Sequence, residues 1–100
     1  MELDLNSLQK RILDNKKNHG FNTTDIKVEL LLLYGEVNEL FLAYLKKDEA
    51  NMGEELADIA IFLLGISEML HVDLGEEVLK KMDINEKRVY GKAGKKTVIE

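Results

Sequence analysis

The chain reads E-V-N-E at positions 36–39 and, after fifteen further residues, E-L-A-D at positions 55–58. Within each stretch the two acidic residues stand three apart, and residues three apart share one face of a helix. Each pair can therefore direct two carboxylates at one point. The second stretch leads into the apolar run 59–66, which places Asp58 at the edge of the most apolar helix of the chain.

Converging carboxylates beside an apolar helix need a partner. Most acidic residues are solvated on the surface of a protein, but a buried carboxylate without a partner is costly and four of them repel one another. A hard divalent cation takes oxygen ligands and neutralises their charge. Four carboxylates without histidine or thiol favour Mg²⁺, with Mn²⁺ as a substitute. We therefore predict a metal site made of four residues, which are Glu36, Glu39, Glu55 and Asp58.

The composition describes one globular domain. The chain has 100 residues, of which 45% are hydrophobic and 33% are charged, and this is a globular rather than a disordered composition. The net charge of -5 argues against a general surface for polymeric nucleic acid. Cysteine is absent, so the sequence offers neither disulfides nor thiolate metal ligands.

The beginning of the sequence, M-E-L-D-L, has no basic segment followed by an apolar core, unlike a signal peptide. The longest apolar run is also far shorter than the 18 or so residues of a membrane-spanning helix. We therefore expect a cytoplasmic protein that does not bind membranes.

Helical periodicity recurs along the whole chain, and proline is absent. The pattern predicts an all-α, four-helix bundle-type subunit. The first helix ends near Gly20, and the second follows the capping residues 22–25 and closes at Lys46–Lys47. The third starts from Asp48 or Asn51 and runs to about His71, and the fourth starts at Asp73. The short connection 48–53 makes helices two and three antiparallel neighbours.

The third helix is apolar on nearly all sides, which indicates a buried position. A chain of 100 residues has little other material to surround such a helix. We therefore predict a homodimer or homotetramer in which apolar faces of different subunits meet.

The fourth helix carries Lys81, Asn85 and Arg88 at positions i, i+4 and i+7, which form one face. A solvated basic face is the ordinary explanation of such a pattern. Beyond it, residues 93–100 are expected to be a flexible basic tail.

The carboxylate motifs, the apolar helix and the Lys81/Asn85/Arg88 face together resemble the MazG-like, all-α NTP pyrophosphohydrolases. The resemblance covers roughly residues 5–92, and we assign residues 1–92 to such a domain. It includes Y-G-E-V-N-E-L at positions 34–40 and E-E-L-A-D-I-A-I-F-L-L at positions 54–64. One departure concerns Gly35, because many members have a second glutamate before the first motif. Both metal-binding positions of that helix are nevertheless retained.

The resemblance implies hydrolysis of a nucleoside triphosphate between the α- and β-phosphates, which releases the monophosphate and pyrophosphate. Such an enzyme removes unwanted nucleotides or controls nucleotide pools. Glu39 is our candidate for the general base that accepts the proton of the attacking water. Lys81 and Arg88 would contact phosphates, and Asn85 suits a sugar or base edge. Phe62, one turn after Asp58, is a core residue or a platform on which a base stacks.

Two other hypotheses compete with this prediction. Glu68-x-x-His71 has the spacing found in di-iron helical bundles, but such sites need two such motifs and the chain has one other histidine, His19. The chain could instead be a non-catalytic, dimeric helical module whose acidic groove binds a partner protein. Such a module would need neither the metal nor the Lys81/Asn85/Arg88 face.

Overall fold

The computed structural model describes residues 2–90 and 96–97, with the side chains of residues 2–88. It contains four helices, α1 (Leu5–Asn18), α2 (Ile26–Leu45), α3 (Glu49–Met69) and α4 (Leu74–Glu86). The all-α prediction is therefore confirmed, and the observed helices lie close to the predicted ones.

Each helix begins after an aspartate whose carboxylate accepts backbone N–H groups of the first turn, as an N-cap does. The four caps are Asp4, Asp25, Asp48 and Asp73. Of the two starts that the sequence allowed for the third helix, the structure has the earlier one. Asp48 is the cap there, and it accepts from the N–H of Asn51 at 3.2 Å.

The first three helices end with one residue in the left-handed region, which closes the last turn. Gly20 has this role after α1, with φ of 71°, and the next N–H, that of Phe21, donates to the carbonyl of Lys16 at 2.9 Å. Lys47 and His71 adopt the same conformation after α2 and α3, with φ of 56° and 59°. This conformation ends α3 at Met69, two residues before the predicted end.

Helix α3 is the centre of the packing, because both α2 and α1 lie against it, whereas α4 packs on α1. Three residues, 46–48, connect α2 to α3, so the two helices are antiparallel, as predicted. The buried apolar core is small and consists of Ala43, Leu64 and Ile66. At Gly65 a Cβ atom would lie 3.3 Å from Ile12 Cγ2, so the glycine permits the close approach of α1 and α3.

Gln9 is a buried polar residue that joins α1 to the connection between α3 and α4. It is 1% exposed, and its Nε2 donates to the carbonyl of Val72 at 2.8 Å and to Glu68 Oε1 at 3.3 Å. Its Oε1 accepts from the N–H of Leu74 at 2.8 Å. One side chain of α1 thus satisfies backbone groups of the α3–α4 connection, which fixes the start of α4.

After α4 the structure has two short antiparallel strands, β1 (Val89–Tyr90) and β2 (Lys96–Thr97), with Val89 opposite Thr97. Two residues are too few to show the alternating pattern by which a strand is recognised. The predicted flexible tail, 93–100, lies outside the described residues except for Lys96–Thr97.

None of the helices in the described part of the chain combines the length and the apolar character needed to cross a membrane.

The hydrogen bonds of Gln9 predict a large stability effect. Gln9→Ala leaves the Val72 carbonyl and the Leu74 N–H without their partner and opens a small cavity, so we expect the free energy of unfolding to fall by about 2–4 kcal/mol. Urea unfolding followed by circular dichroism measures this. Asn18→Ala, on the exposed end of α1, is the matched control and should change it by less than about 0.5 kcal/mol. Equal effects of the two changes would contradict this role of Gln9.

Candidate metal centre and adjoining cavity

Three of the four predicted metal ligands meet between α2 and α3. Glu36, Glu55 and Asp58 each offer a carboxylate oxygen, and these three oxygens lie within 4.8 Å of one another. Glu36 and Glu55 are half-buried, and Asp58 is exposed. The group is therefore open on one side to an ion or a ligand arriving from solvent.

The antiparallel packing of α2 and α3 explains why these side chains meet. Glu36 lies on the side of α2 that faces α3, since it shares that side with the buried Glu29 and Ala43, seven residues before and after it. On α3, Glu55 and Asp58 are three residues apart and occupy one face. The two motifs of the sequence thus become one site when the helices pair.

The carboxyl group of Glu55 lies in an unfavourable environment. Burial raises the pKa of Glu55 above its usual value, and so do a hydrogen bond with Glu36 and the negative charges of Glu36, Asp58 and Glu39. Its Oε2 is buried and has no hydrogen-bond partner among the described residues. A buried carboxylate oxygen among like charges is unfavourable unless a cation compensates it. The donor set, which is oxygen only, therefore fits a hard divalent cation.

Glu39 does not belong to this group of three. It is exposed, yet its charge is near enough to contribute to the raised pKa of Glu55. The structure thus places it at the rim of the carboxylate group, one turn beyond Glu36 on α2.

The predicted face of α4 is arranged differently from its pattern in the sequence. Helix α4 ends at Glu86, so Arg88 lies beyond it and its guanidinium Nη1 donates to Asn85 Oδ1 at 2.9 Å. Lys81 and Asn85 are exposed. Arg88 Nε is buried without a hydrogen-bond partner among the described residues. Because α4 packs on α1, this face is not part of the α2–α3 pairing that forms the carboxylate group.

A large cavity begins one helical turn from the carboxylate group, at Phe62 of α3. Its volume is about 1020 Å³, and it lies between α1, the start of α2 and the second half of α3. Phe62, one turn after Asp58, is half-buried and lines it, and Phe21 lines it from the loop after α1. Phe62 is thus a wall of an open space and not a residue of a filled core.

The cavity wall contains an ion pair, between the half-buried Lys16 and the buried Glu29, that the sequence pattern did not predict. Glu29 is 2% exposed, its Oε1 pairs with Lys16 Nζ, and its Oε2 accepts from Asn22 Nδ2 at 3.0 Å. Glu29 and Lys16 both line the cavity. The sequence carries one signal of this pair, because Glu29 is the acidic residue that interrupts the apolar first half of α2.

The Glu68-x-x-His71 motif, which has the spacing of a di-iron site, lies at the C-terminal end of α3. Glu68 accepts a hydrogen bond from Gln9, and His71 is an exposed residue in the left-handed turn after α3. Both residues therefore belong to the helix end that Gln9 fixes.

No family model matches the chain. Among curated proteins, dCTP pyrophosphatase 1 of Mus musculus is 38% identical over 72 residues, covering 59% of this chain and 42% of the mouse protein. The Homo sapiens protein of the same name gives the same identity and coverage. The protein of Bos taurus is 38% identical, with 43% of its length covered. The chain therefore spans less than half the length of these curated relatives, and it is homologous to them over that part.

The crowding of the three carboxylates predicts that Glu55→Gln stabilises the metal-free protein and weakens its stabilisation by metal. Glu55→Gln removes one of the like charges, so the metal-free variant should have a higher Tm than the wild type. The wild type should gain stability from Mg²⁺, by about 1.4 kcal/mol at ten times the Kd, and the variant should lose most of this gain. Thermal unfolding with EDTA or millimolar Mg²⁺ measures both effects.

The neighbouring Glu54, which is exposed, supplies the control. Glu54→Gln makes the same chemical change outside the carboxylate group and should keep the Mg²⁺-dependent stabilisation. A wild type whose Tm is the same in EDTA and in Mg²⁺ would contradict the metal site.

Proposed function

From its homology with the MazG-like, all-α NTP pyrophosphohydrolases over part of its length, we propose that this chain hydrolyses a nucleoside triphosphate at the α–β phosphate bond. The products are the nucleoside monophosphate and pyrophosphate, and the cofactor is Mg²⁺. The observation that carries the proposal is the meeting of Glu36, Glu55 and Asp58, one helical turn along α3 from a cavity large enough for a nucleoside. The relatives are named for dCTP, so dCTP is the first substrate to test.

Glu36, Glu55 and Asp58 are the residues that would hold the metal. A Mg²⁺ ion held there would neutralise charge on the triphosphate and would supply Lewis-acid assistance to the attack of water on phosphorus. Glu39, at the rim of the group, is the carboxylate left to accept the proton of that water, as a general base does. Its exposed position keeps its oxygens available for this step.

The basic residues near the end of α4 are proposed to bind the phosphates. The ammonium group of Lys81 is on an exposed side chain and can donate to phosphate oxygens, while the guanidinium of Arg88 can donate in a bidentate way. Arg88 Nε, which lacks a partner among the described residues, supports this role. Asn85 already accepts from Arg88 and orients it.

We also propose that the subunits associate as a homodimer or homotetramer, and the supporting feature is a stripe on α2. The apolar, exposed members of this stripe are Leu31, Tyr34, Phe41 and Leu45. Together with Asn38 they are spaced by alternating steps of three and four residues. This spacing is that of helices that pack on another helix. Because Glu36 and Ala43 face α3, the stripe lies on the opposite side of α2.

The exposed area supports a second copy as the partner of this stripe. The accessible surface is 7912 Å², whereas a folded monomer of 11.4 kDa exposes about 5,800 Å². The difference is of the order that obligate homodimers bury. The radius of gyration, 16.4 Å, is likewise larger than the 13 Å or so of a compact chain of this length.

Product analysis tests the proposed reaction. We expect the purified protein to convert dCTP to dCMP and pyrophosphate with Mg²⁺ and not with EDTA. Glu39→Gln should lower kcat by about 100-fold or more, as the loss of a general base does, while Glu49→Gln, an exposed residue of the first turn of α3, should leave it unchanged. Chromatography of the nucleotides and a pyrophosphate assay measure this.

The products also separate the alternatives. Formation of dCDP and phosphate would contradict cleavage between the α- and β-phosphates. Absence of turnover with every nucleotide and metal tested would favour the non-catalytic module with an acidic groove for a partner protein.

The stripe on α2 predicts a change of assembly state. Phe41→Lys places a charge in the proposed interface, and the desolvation of that charge should shift the protein from oligomer to monomer. Light scattering after gel filtration measures the mass. Asn18→Lys adds the same charge to the exposed end of α1 and should keep the oligomer. A wild-type protein that is monomeric at micromolar concentration would contradict the association.

A further inference from the structure

The ion pair in the cavity wall lies at a fixed distance from the carboxylate group, because both include a glutamate of α2. Glu29 is seven residues before Glu36 on α2, so both lie on the same side of the helix and are separated by about 10 Å along its axis. On the antiparallel α3, the cavity-lining Phe62 follows Asp58 by one turn. Both helices thus lead from the carboxylates to the cavity, over a distance like that between the phosphates of a nucleotide and the far edge of its base.

The ion pair retains hydrogen-bonding capacity toward the cavity. A carboxylate can accept about four hydrogen bonds, and Glu29 accepts from Lys16 and from Asn22 among the described residues. The ammonium of Lys16 has three donors, of which Glu29 takes one. A buried ion pair is stabilised by further hydrogen bonds, so a polar group entering the cavity would meet an acceptor and a donor side by side.

The pair is also held in place before any ligand binds. Asn22 Oδ1 accepts from the N–H of Asp25 at 3.0 Å, and its Nδ2 donates to the carbonyl of Asp25 at 2.8 Å. These bonds fix the amide of Asn22, which in turn donates to Glu29 Oε2. The ionised carboxylate of Glu29 is therefore oriented, and it can only accept hydrogen bonds.

We propose that Lys16 and Glu29 determine base specificity by reading a base edge on which an exocyclic amine adjoins a ring-nitrogen acceptor, as in cytosine and adenine. Glu29 accepts from the amine, in the way that carboxylates read the cytosine amino group in nucleic acids, and Lys16 donates to the ring nitrogen. The inference rests on the proposed pyrophosphohydrolase activity, which places the triphosphate at the carboxylates and so the base in the cavity. Phe62 is the aromatic wall against which the base lies.

A keto base is rejected in this arrangement. Uracil and thymine present a carbonyl oxygen where cytosine has its amine, and this oxygen would face the carboxylate of Glu29 without a proton between them. A site built to bond a donor disfavours an analogue that lacks it, because the buried polar group is then left unpaired. The wild type should therefore have a much higher kcat/KM for dCTP than for dUTP.

The test compares kcat/KM for dCTP and dUTP in the wild type and in the double variant Lys16→Gln/Glu29→Gln. The double change removes both charges together, so no lone charge is buried. Amide groups can turn to present a donor or an acceptor, so the ratio of the two kcat/KM values should fall by about tenfold to 100-fold. A purely structural role of the pair would lower both values equally and leave the ratio unchanged, which would overturn the inference.

Two further variants make the outcome decisive. Asp14→Asn changes another carboxylate that lines the cavity but is outside the ion pair, and it should keep the wild-type ratio. Glu29→Asp keeps both charges and withdraws the carboxylate by one methylene; it replaces the double variant if that protein does not fold, and it too must lower the ratio.

Different results would overturn this inference and the proposed function. A wild type that hydrolyses both nucleotides equally well, or dUTP better, would overturn the specificity assignment and leave the activity intact. A wild type that hydrolyses no nucleotide with Mg²⁺ would overturn the proposed function and this inference with it.

Discussion

The antiparallel pairing of α2 with α3 is the constraint on which the candidate site depends, because it brings the carboxylates of Glu36, Glu55 and Asp58 together. Burial and like charges raise the pKa of Glu55, and its buried Oε2 lacks a partner among the described residues. This energy cost persists because the pairing of α2 with α3, closed by a short turn, holds the side chains together. A divalent cation bound by these oxygens would compensate their charge.

Much of the helical fold and of the carboxylate group was predictable from local sequence. The helices and the antiparallel pairing follow from periodicity and from short connections, which act over a few residues. The capping residues of the last three helices were among those predicted, whereas Asp4, the cap of α1, was not. The meeting of Glu36 with Glu55 and Asp58 follows from that pairing, since each motif already fixes its own face. The homology with dCTP pyrophosphatase 1 over part of the chain agrees with the family resemblance that the same motifs suggested.

The features that the sequence did not reveal depend on contacts between distant elements. In the sequence, Gln9 and Glu29 have the appearance of solvated helix residues. Gln9 is buried by neighbours 59 to 65 positions away along the chain. Glu29 is buried in part by the loop after α1. Gly65, which lines the cavity, permits a close approach of α1 and α3, a spacing that no local pattern contains. Arg88 lies beyond α4 because helix ends depend on capping geometry.

The central claim is that Glu36, Glu55 and Asp58 hold a divalent cation, and a crystal structure with Mn²⁺ tests it most directly. Mn²⁺ takes oxygen ligands as Mg²⁺ does and scatters anomalously. The account predicts one anomalous peak between these three residues, about 2 Å from carboxylate oxygens of both α2 and α3. An occupied Mn²⁺ site elsewhere on the protein, with no peak between these carboxylates at millimolar Mn²⁺, would contradict it.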